Sequence, residues 1–197
     1  MTPPPQPTGL PQRTRWIAFL TITAVCVVVD QVTKAYAIAN WEGRPPMEFL
    51  GGIFQIEFSW NPGAFLSLLS NASTTVRLVV LVGMNSVMLT GIAIYLFWSR
   101  SIRWSLFLPL ALMVAGGIGN LIDRIRFEGH VADFLFLGFK DTLFRTGIFN
   151  VADMAISLGF VLLVWEFLKS ERRAGEIEKA AVADTSAGKK ESQECPA

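Results

Sequence analysis

The chain has 197 residues, of which 52% are hydrophobic and 17% are charged, and its mean hydropathy is +0.44. A soluble protein of this length would have to bury uncharged stretches such as 78–98 and 104–122 on all sides, whereas each could cross a hydrocarbon layer of about 30 Å. The formal net charge of +1 gives no field that would favour nucleic acid as a partner. The composition therefore predicts a membrane protein with several spans.

The scarcity of cysteine and histidine excludes several kinds of site. Cys26 lies in an apolar run and Cys195 near the end of the chain, so no disulfide framework is indicated. Because His130 is the only histidine, a metal site built from Cys and His is disfavoured, and Ser-His-Asp or Cys-His catalysis would depend on that one imidazole. Any catalysis should come from carboxylates, lysine, hydroxyls or amides, and we expect no metal and no cofactor.

The two ends of the chain differ in composition from the part between them. Residues 1–12 are rich in proline and predict a disordered arm. Residues 171–197 are rich in Glu, Lys, Ala and Ser and predict a charged tail, which could continue the last helix for a few turns. Between them, residues 13–170 form the predicted membrane domain. Its four apolar segments are predicted transmembrane helices: 16–39, 74–98, 104–122 and 147–168.

The first apolar segment has some features of a cleavable signal peptide. Arg13 and Arg15 precede it, and residues 37–39 fit the small-x-small cleavage pattern. However, Asp30 and Lys34 fall in the stretch that should stay neutral, and three further spans need a first anchor. We therefore interpret this segment as a retained membrane helix.

The basic residues near the span ends predict the orientation of the chain. They are densest before the first span, in the short loop after the second and after the fourth: Arg13, Arg15, Arg100, Arg103, Lys169, Arg172 and Arg173. The opposite loops spread their basic residues over more chain and mix them with acids. Both termini are therefore predicted to be cytoplasmic.

The two outer loops should have structure or function of their own. In residues 53–60, apolar and polar residues alternate as in a half-buried strand, so residues 41–65 are predicted to form a small sheet at the membrane surface. Residues 124–147 form the second outer loop, which is too long for a simple turn and is therefore expected to be functional.

The polar residues of the spans should meet at one level. Consecutive spans run in opposite directions, and when this is taken into account the polar residues of every span lie at or near its outer end. Ionisable groups inside spans indicate a functional site by default. These residues are Asp30, Lys34, Asn61, Asn120, Asp123, Arg124, Asn150 and Asp153. The sequence therefore predicts a site at the outer membrane interface.

Some of these residues also have an ordinary structural explanation. Asp30 and Lys34 stand at i and i+4 and could simply neutralise each other. Asp123 and Arg124 could form an ion pair where their helix leaves the lipid. Asp153 is the hardest to explain in this way, because no opposite charge lies within a helical turn of it.

Five short motifs follow one another along the four spans. They are Asp-Gln-Val-Thr-Lys (30–34), Asn-Pro-Gly-Ala-Phe (61–65), Gly-Asn-Leu-Ile-Asp-Arg (119–124), Gly-His-Val-Ala-Asp-Phe (129–134) and Phe-Asn-Val-Ala-Asp (149–153). In this order they resemble the motifs of bacterial lipoprotein signal peptidase, or signal peptidase II. Any one of them would be weak evidence, but together they are highly specific, and the resemblance extends over the four spans, residues 16–168.

This resemblance implies an all-α polytopic protein of the bacterial inner membrane, with four transmembrane helices and a small extracytoplasmic sheet between the first two. It implies an aspartic peptidase that cleaves prolipoproteins just before a diacylglyceryl-modified cysteine, with Asp133 and Asp153 as the catalytic pair. The expected partners are prolipoprotein substrates and membrane lipid, without nucleic acid, and the enzyme is expected to be a monomer. The motif positions that would line or support the site are Asp30, Lys34, Asn61, Gly63, Asn120, Asp123, Arg124 and Asn150.

One position departs from the family pattern. Where the family usually has a second alanine, this chain has Phe65, whose larger side chain could narrow the substrate groove. The departure concerns the shape of the site rather than its chemistry.

A proton-coupled transporter with four helices is the alternative function. Such a protein would use one carboxylate as its proton carrier, near the membrane midplane and reachable from both sides. A peptidase instead needs Asp133 and Asp153 next to each other, so their relative position separates the two functions.

Overall fold

The computed structural model describes residues 9–63, 73–99, 102–139 and 145–191. These contain four long helices, α1 (Gln12–Trp41), α2 (Thr74–Trp98), α3 (Trp104–Arg126) and α4 (Val151–Glu191). Three short strands, β1 (Met47–Phe49), β2 (Phe54–Asn61) and β3 (Val131–Leu137), form one antiparallel sheet, with a short 3-10 turn at Leu50–Gly52. Each helix includes a segment long and apolar enough to cross a membrane, so the predicted fold of four transmembrane helices with a small sheet is confirmed.

Helix α3 lies at the centre of the bundle. Half of the residues in its apolar stretch of 18 residues are buried, whereas in the corresponding stretches of the other helices 6% are buried in α1, 6% in α2 and 17% in α4. Its glycines allow each neighbour to come close, since a Cβ on Gly116 would overlap the Ala152 carbonyl oxygen of α4 and one on Gly117 would overlap Leu89 of α2. A Cβ on Gly119 would lie 2.6 Å from Oδ2 of Asp30 on α1. Small residues thus let three helices pack directly on α3, as is common in membranes.

The sheet uses more of the chain than the sequence predicts. The strand order is β1-β2-β3, and β3 comes from residues 124–147, which were expected to be a loop. Phe54 pairs with Leu137 and Asn61 with Val131, so β3 runs along the whole of β2. Most of β3 is buried on both faces, so its sequence lacks the alternation that reveals a half-buried strand.

A tight turn brings β3 back against the end of α3. Glu128 and Gly129 both have positive φ, 51° and 93°. The Gly129 amide donates to the carbonyl of Arg124 at 2.8 Å, and the His130 amide donates to that of Phe127 at 3.0 Å. As a result, the residues of β3 face the polar end of α3.

Near both ends, the described residues form more structure than the composition indicates. The Leu10 amide, in the predicted arm, donates to the carbonyl of Ile102 at 3.1 Å, and the Leu10 side chain packs against the core at that end of the bundle. Arg15 is buried and donates to the carbonyls of Leu96 and Ser99, so it caps the end of α2. Helix α4 continues to Glu191, through most of the predicted tail.

Candidate active site

A buried ion cluster ties α1 to α3. Nζ of Lys34 lies 2.9 Å from Oδ2 of Asp30 and 3.0 Å from Oδ2 of Asp123, and these side chains are at most 2% exposed. Asp123 therefore pairs with Lys34 rather than with the neighbouring Arg124. Lys34 thus pairs with a carboxylate on α3 as well as with Asp30 on its own helix. Because buried charges are costly unless they are paired, the three groups depend on one another.

The two carboxylates of this cluster also hold the backbone next to each predicted catalytic aspartate. Oδ1 of Asp30 accepts a hydrogen bond from the amide of Ala152 at 2.9 Å, and Ala152 precedes Asp153. Oδ2 of Asp123 accepts one from the amide of Ala132 at 3.1 Å, and Ala132 precedes Asp133. The cluster therefore fixes the start of α4 and the start of β3 relative to each other.

Asp133 and Asp153 are brought together through Asn150. Nδ2 of Asn150 donates to Oδ1 of Asp133 at 2.6 Å, while the Asn150 backbone amide lies 3.3 Å from Oδ2 of Asp153. Oδ1 of Asn150 in turn accepts from the Asp153 amide at 2.9 Å. The last two bonds form a capping box at the start of α4, which holds Asp153 in a fixed position. One fully buried asparagine thus contacts both carboxylates.

Each carboxylate has a further amide donor of its own. Nδ2 of Asn61 donates to Oδ2 of Asp133 at 2.8 Å, and Nδ2 of Asn120 donates to Oδ1 of Asp153 at 2.7 Å. Nζ of Lys34 donates to Oδ1 of Asn120 at 2.9 Å, which fixes the orientation of that amide. The ion cluster is therefore connected to Asp153 by a chain of hydrogen bonds.

The two carboxylates differ in their access to solvent. Asp133 is 1% exposed, whereas Asp153 is half-buried. Burial raises the pKa of Asp133 from 3.8 to about 6, and the charge of Asp153 adds to this, although the hydrogen bonds from Asn61 and Asn150 oppose it. Protonation of Asp133 is therefore favoured by the fold.

This raised pKa predicts a pH-dependent stability. Because the folded state favours the protonated carboxyl, the contribution of Asp133 to stability is fully present below about pH 4 and is lost as the pH rises through about 6. Asp133→Asn cannot ionise at this position. The melting temperature of the variant minus that of the wild type should therefore increase as the pH is raised from 4 to 8. Thermal unfolding of both proteins in detergent across this range measures the difference, and a difference that does not change with pH would contradict the prediction.

The remaining predicted residues lie beside the pair. Oδ1 of Asn61 accepts from the Gly63 amide at 2.8 Å, and Gly63 adopts a φ of +94° that favours glycine. Arg124 is half-buried, with Nη1 3.4 Å from the Asn120 carbonyl. In the described part of the chain, Nε of Arg124 is buried without a hydrogen-bond partner. Phe65, the departure from the family pattern, lies outside the described residues.

Gln31 is part of this network, although sequence reasoning did not select it. Its Nε2 lies 2.9 Å from Oδ1 of Asp123 and 3.2 Å from both Oδ2 of Asp30 and the carbonyl of Gly119. The available signal was its place in the motif 30–34, between two residues that were selected. Gln31 thus adds a neutral donor to the ion cluster between α1 and α3.

Two cavities adjoin Asp153. One of about 230 Å³ lies among α2, α3 and α4 and has Asn120 and Arg124 in its wall. The other, of about 430 Å³, lies between residues 146–149 and α4. Asp153 lines both cavities, so each of them lies beside the predicted catalytic pair. No group of three or more His, Cys, Asp or Glu in the described residues is arranged to hold a metal ion.

Comparison with known proteins identifies the family. The model of the signal peptidase (SPase) II family matches residues 22–169. The chain belongs to the signal peptidase II family. The resemblance seen in the five motifs is therefore confirmed, and the chain is a multi-pass membrane protein of a peptidase family.

Relatives in this family align with most of the chain. The lipoprotein signal peptidase of Syntrophus aciditrophicus is 33% identical over 158 residues, which cover 79% of this chain and 95% of the relative. That of Moorella thermoacetica is 36% identical over 151 residues, which cover 76% and 92%. The alignments therefore cover nearly the full length of both relatives.

Solved structures share the fold. A bacterial membrane enzyme determined by the in meso method at 2.3 Å resolution has a TM-score of 0.63 and 25% identity, and the match covers 78% of this chain and 89% of that one. Another, determined by the same method at 1.9 Å resolution, has a TM-score of 0.67 and 21% identity, and the match covers 84% and 98%. The second likeness shows the fold alone.

Proposed function

We propose that this chain is an aspartic endopeptidase that removes the signal peptide from diacylglyceryl-modified prolipoproteins, cleaving just before the lipidated cysteine. The observation that carries the proposal is the pairing of Asp133 and Asp153 through Asn150, in a chain of the signal peptidase II family. The alternative function, proton-coupled transport, needs only one carboxylate and a path from both sides, so it does not explain this pairing.

Two adjacent carboxylates suit peptide hydrolysis without a cofactor. Since two close carboxylates cannot both ionise at low cost, one keeps a proton while the other acts as a base. The ionised carboxylate takes a proton from water as the water oxygen attacks the scissile carbonyl carbon, and the protonated one donates to the carbonyl oxygen. The gem-diol then collapses as a proton reaches the leaving amine. The two protonation steps belong to the pair rather than to either residue.

The surroundings of the pair offer donors for the substrate backbone. Arg124 lines the cavity among the helices, and its guanidinium carries N–H groups besides the Nη1 that lies 3.4 Å from the Asn120 carbonyl. Nδ2 of Asn120 is held toward Asp153 because Lys34 occupies its oxygen. These groups are suited to hold carbonyl oxygens of an extended peptide next to the reacting carboxylates.

The position of the site matches a lipidated substrate. The acyl chains of the substrate cysteine keep the scissile bond near the membrane surface, where the polar ends of the helices meet. The distribution of basic residues supports placing this surface on the side away from the cytoplasm, with both termini in the cytoplasm. The resemblance to signal peptidase II supports the inner membrane. We propose that the enzyme acts there as a monomer.

Cleavage of a purified prolipoprotein tests this function. The detergent-solubilised protein should release the signal peptide from a diacylglyceryl-modified prolipoprotein and leave the unlipidated form intact. Mass spectrometry of both products should place the cut immediately before the lipidated cysteine. Cleavage of both forms at equal rates, or a cut elsewhere, would contradict the proposed specificity.

A further inference from the structure

Asn85 is a polar residue in the apolar helix α2 that the pair and the ion cluster do not use. It lies well inside the span Leu78–Trp98. Burying an unpaired amide in a membrane costs free energy, so a polar residue at this depth indicates a functional site. Among the described residues, its side chain forms no hydrogen bond. The amide is half-buried and lines the cavity of about 230 Å³ beside Asp153.

Contacts on either side of Asn85 fix its depth in the bundle. One turn before it, Leu81 lies at the level of Gly63, where an added Cβ would be 3.7 Å from Leu81 and 4.0 Å from Nη2 of Arg124. One turn after it, Leu89 lies against Gly117. Because α2 and α3 are antiparallel, Asn85 lies between these levels, opposite Asn120.

The cavity therefore has a polar end to which α2 contributes an amide. Asn120 and Arg124 of α3 and Asp153 of α4 line this end, together with Asn85. The rest of the wall is apolar or glycine: Met88, Leu89, Ile92, Met113, Gly117 and Ile156. A peptide in this cavity would have few polar groups with which to pair its backbone.

We propose that Asn85 is a substrate-binding residue that hydrogen-bonds the peptide backbone of the signal peptide, on the side that precedes the scissile bond. The inference rests on the proposed function. An extended peptide away from water must satisfy its amide N–H groups as well as its carbonyls. Asn120 and Arg124 can donate to carbonyls, but an N–H group needs an acceptor that is not the reacting carboxylate. Oδ1 of Asn85 is such an acceptor.

Kinetics of Asn85→Leu test this role. With lipidated peptide substrates, the variant should lose about five- to tenfold in kcat/KM, mainly through KM, since about one net hydrogen bond is removed. Asn85→Ala should lose a similar amount. Thr90→Val, a matched change on the exposed face of α2, should leave kcat/KM unchanged. Melting temperatures of all variants separate binding from folding.

Modified substrates identify the group that Asn85 binds. Substrates N-methylated singly at the second, third or fourth residue before the cysteine should include one that the wild type and Asn85→Leu cleave equally well, because that substrate lacks the N–H. An ether-linked analogue without ester carbonyls should keep the difference between the two enzymes. If the ether analogue instead removes the difference, Asn85 binds the lipid ester and the proposal is wrong.

Equal kinetics of wild type and Asn85→Leu on every substrate would also overturn it. A wild type that cleaves no lipidated peptide would instead contradict the proposed function. In that case, equal binding of a lipidated peptide by wild type and Asn85→Leu, measured by calorimetry, would overturn this inference separately.

Discussion

Asp133→Asn and Asp153→Asn should each lower kcat/KM for a lipidated prolipoprotein by at least about a thousandfold, and the double variant should be little slower than either single one. Both carboxylates serve one proton-transfer step, so removal of either already prevents it. Rates of the purified variants, measured over long incubations, test both the size of the loss and its lack of additivity.

The control for this experiment must separate chemistry from folding, because Asp153 also belongs to the capping box of α4. Asparagine keeps one oxygen that can accept from the Asn150 amide, but its NH2 group then faces Nδ2 of Asn120, so the variant should fold with a somewhat lower melting temperature. Glu166→Gln is the matched control, since Glu166 is a carboxylate of the same helix whose partner is Ser105 at 2.6 Å. It should stay active. A folded Asp153→Asn with more than about a tenth of wild-type activity would contradict the proposed dyad.

The sequence predicts the four helices and the end of the bundle at which the site lies. Both depend on free-energy costs that can be read from short stretches of the chain: exposing apolar residues to water, and placing unpaired polar residues in lipid. An apolar run of sufficient length has few stable positions other than a membrane span. Polar residues such as Asp30, Asn120 and Asp153 are tolerated there only where they find partners, so antiparallel spans collect them at one end. The structure brings them together there, as their depth in each span predicts.

The sequence does not predict the contacts that hold the pair in place. Strand β3 is buried on both faces and lacks alternation, so Asp133 could be assigned to the site only through its motif. The bonds from the carboxylates of Asp30 and Asp123 to the backbone at Ala152 and Ala132 depend on tertiary packing, which no residue spacing reveals. Asn85 was likewise not selected, because its function depends on the cavity that it lines.

Lys34→Met should lower the free energy of unfolding by about 3–5 kcal/mol and should therefore strongly reduce the yield of folded protein. The structure shows that two buried carboxylates, Asp30 and Asp123, would lose their ammonium partner. These same carboxylates hold the backbone at Ala152 and Ala132, so their disturbance should reach both ends of the active site. The yield of monodisperse protein and its melting temperature in detergent measure the loss. Lys169→Met, a change of an exposed lysine, should have little effect.

A triple variant separates the charge of Lys34 from its position. Asp30→Asn and Asp123→Asn, added to Lys34→Met, remove both uncompensated anions but keep oxygens that can accept from the backbone amides. This variant should fold better than Lys34→Met alone, since no buried charge is left unpaired in the cluster. It should still cleave more slowly than the wild type, because Oδ1 of Asn120 loses the shorter of its two hydrogen bonds, that from Nζ of Lys34 at 2.9 Å, and keeps only that from Nδ2 of Asn150 at 3.2 Å. Nδ2 of Asn120 is then held less firmly toward Asp153. If Lys34→Met folds in normal yield but does not cleave, the main role of Lys34 is in positioning Asn120 and Asp153 rather than in holding α1 against α3.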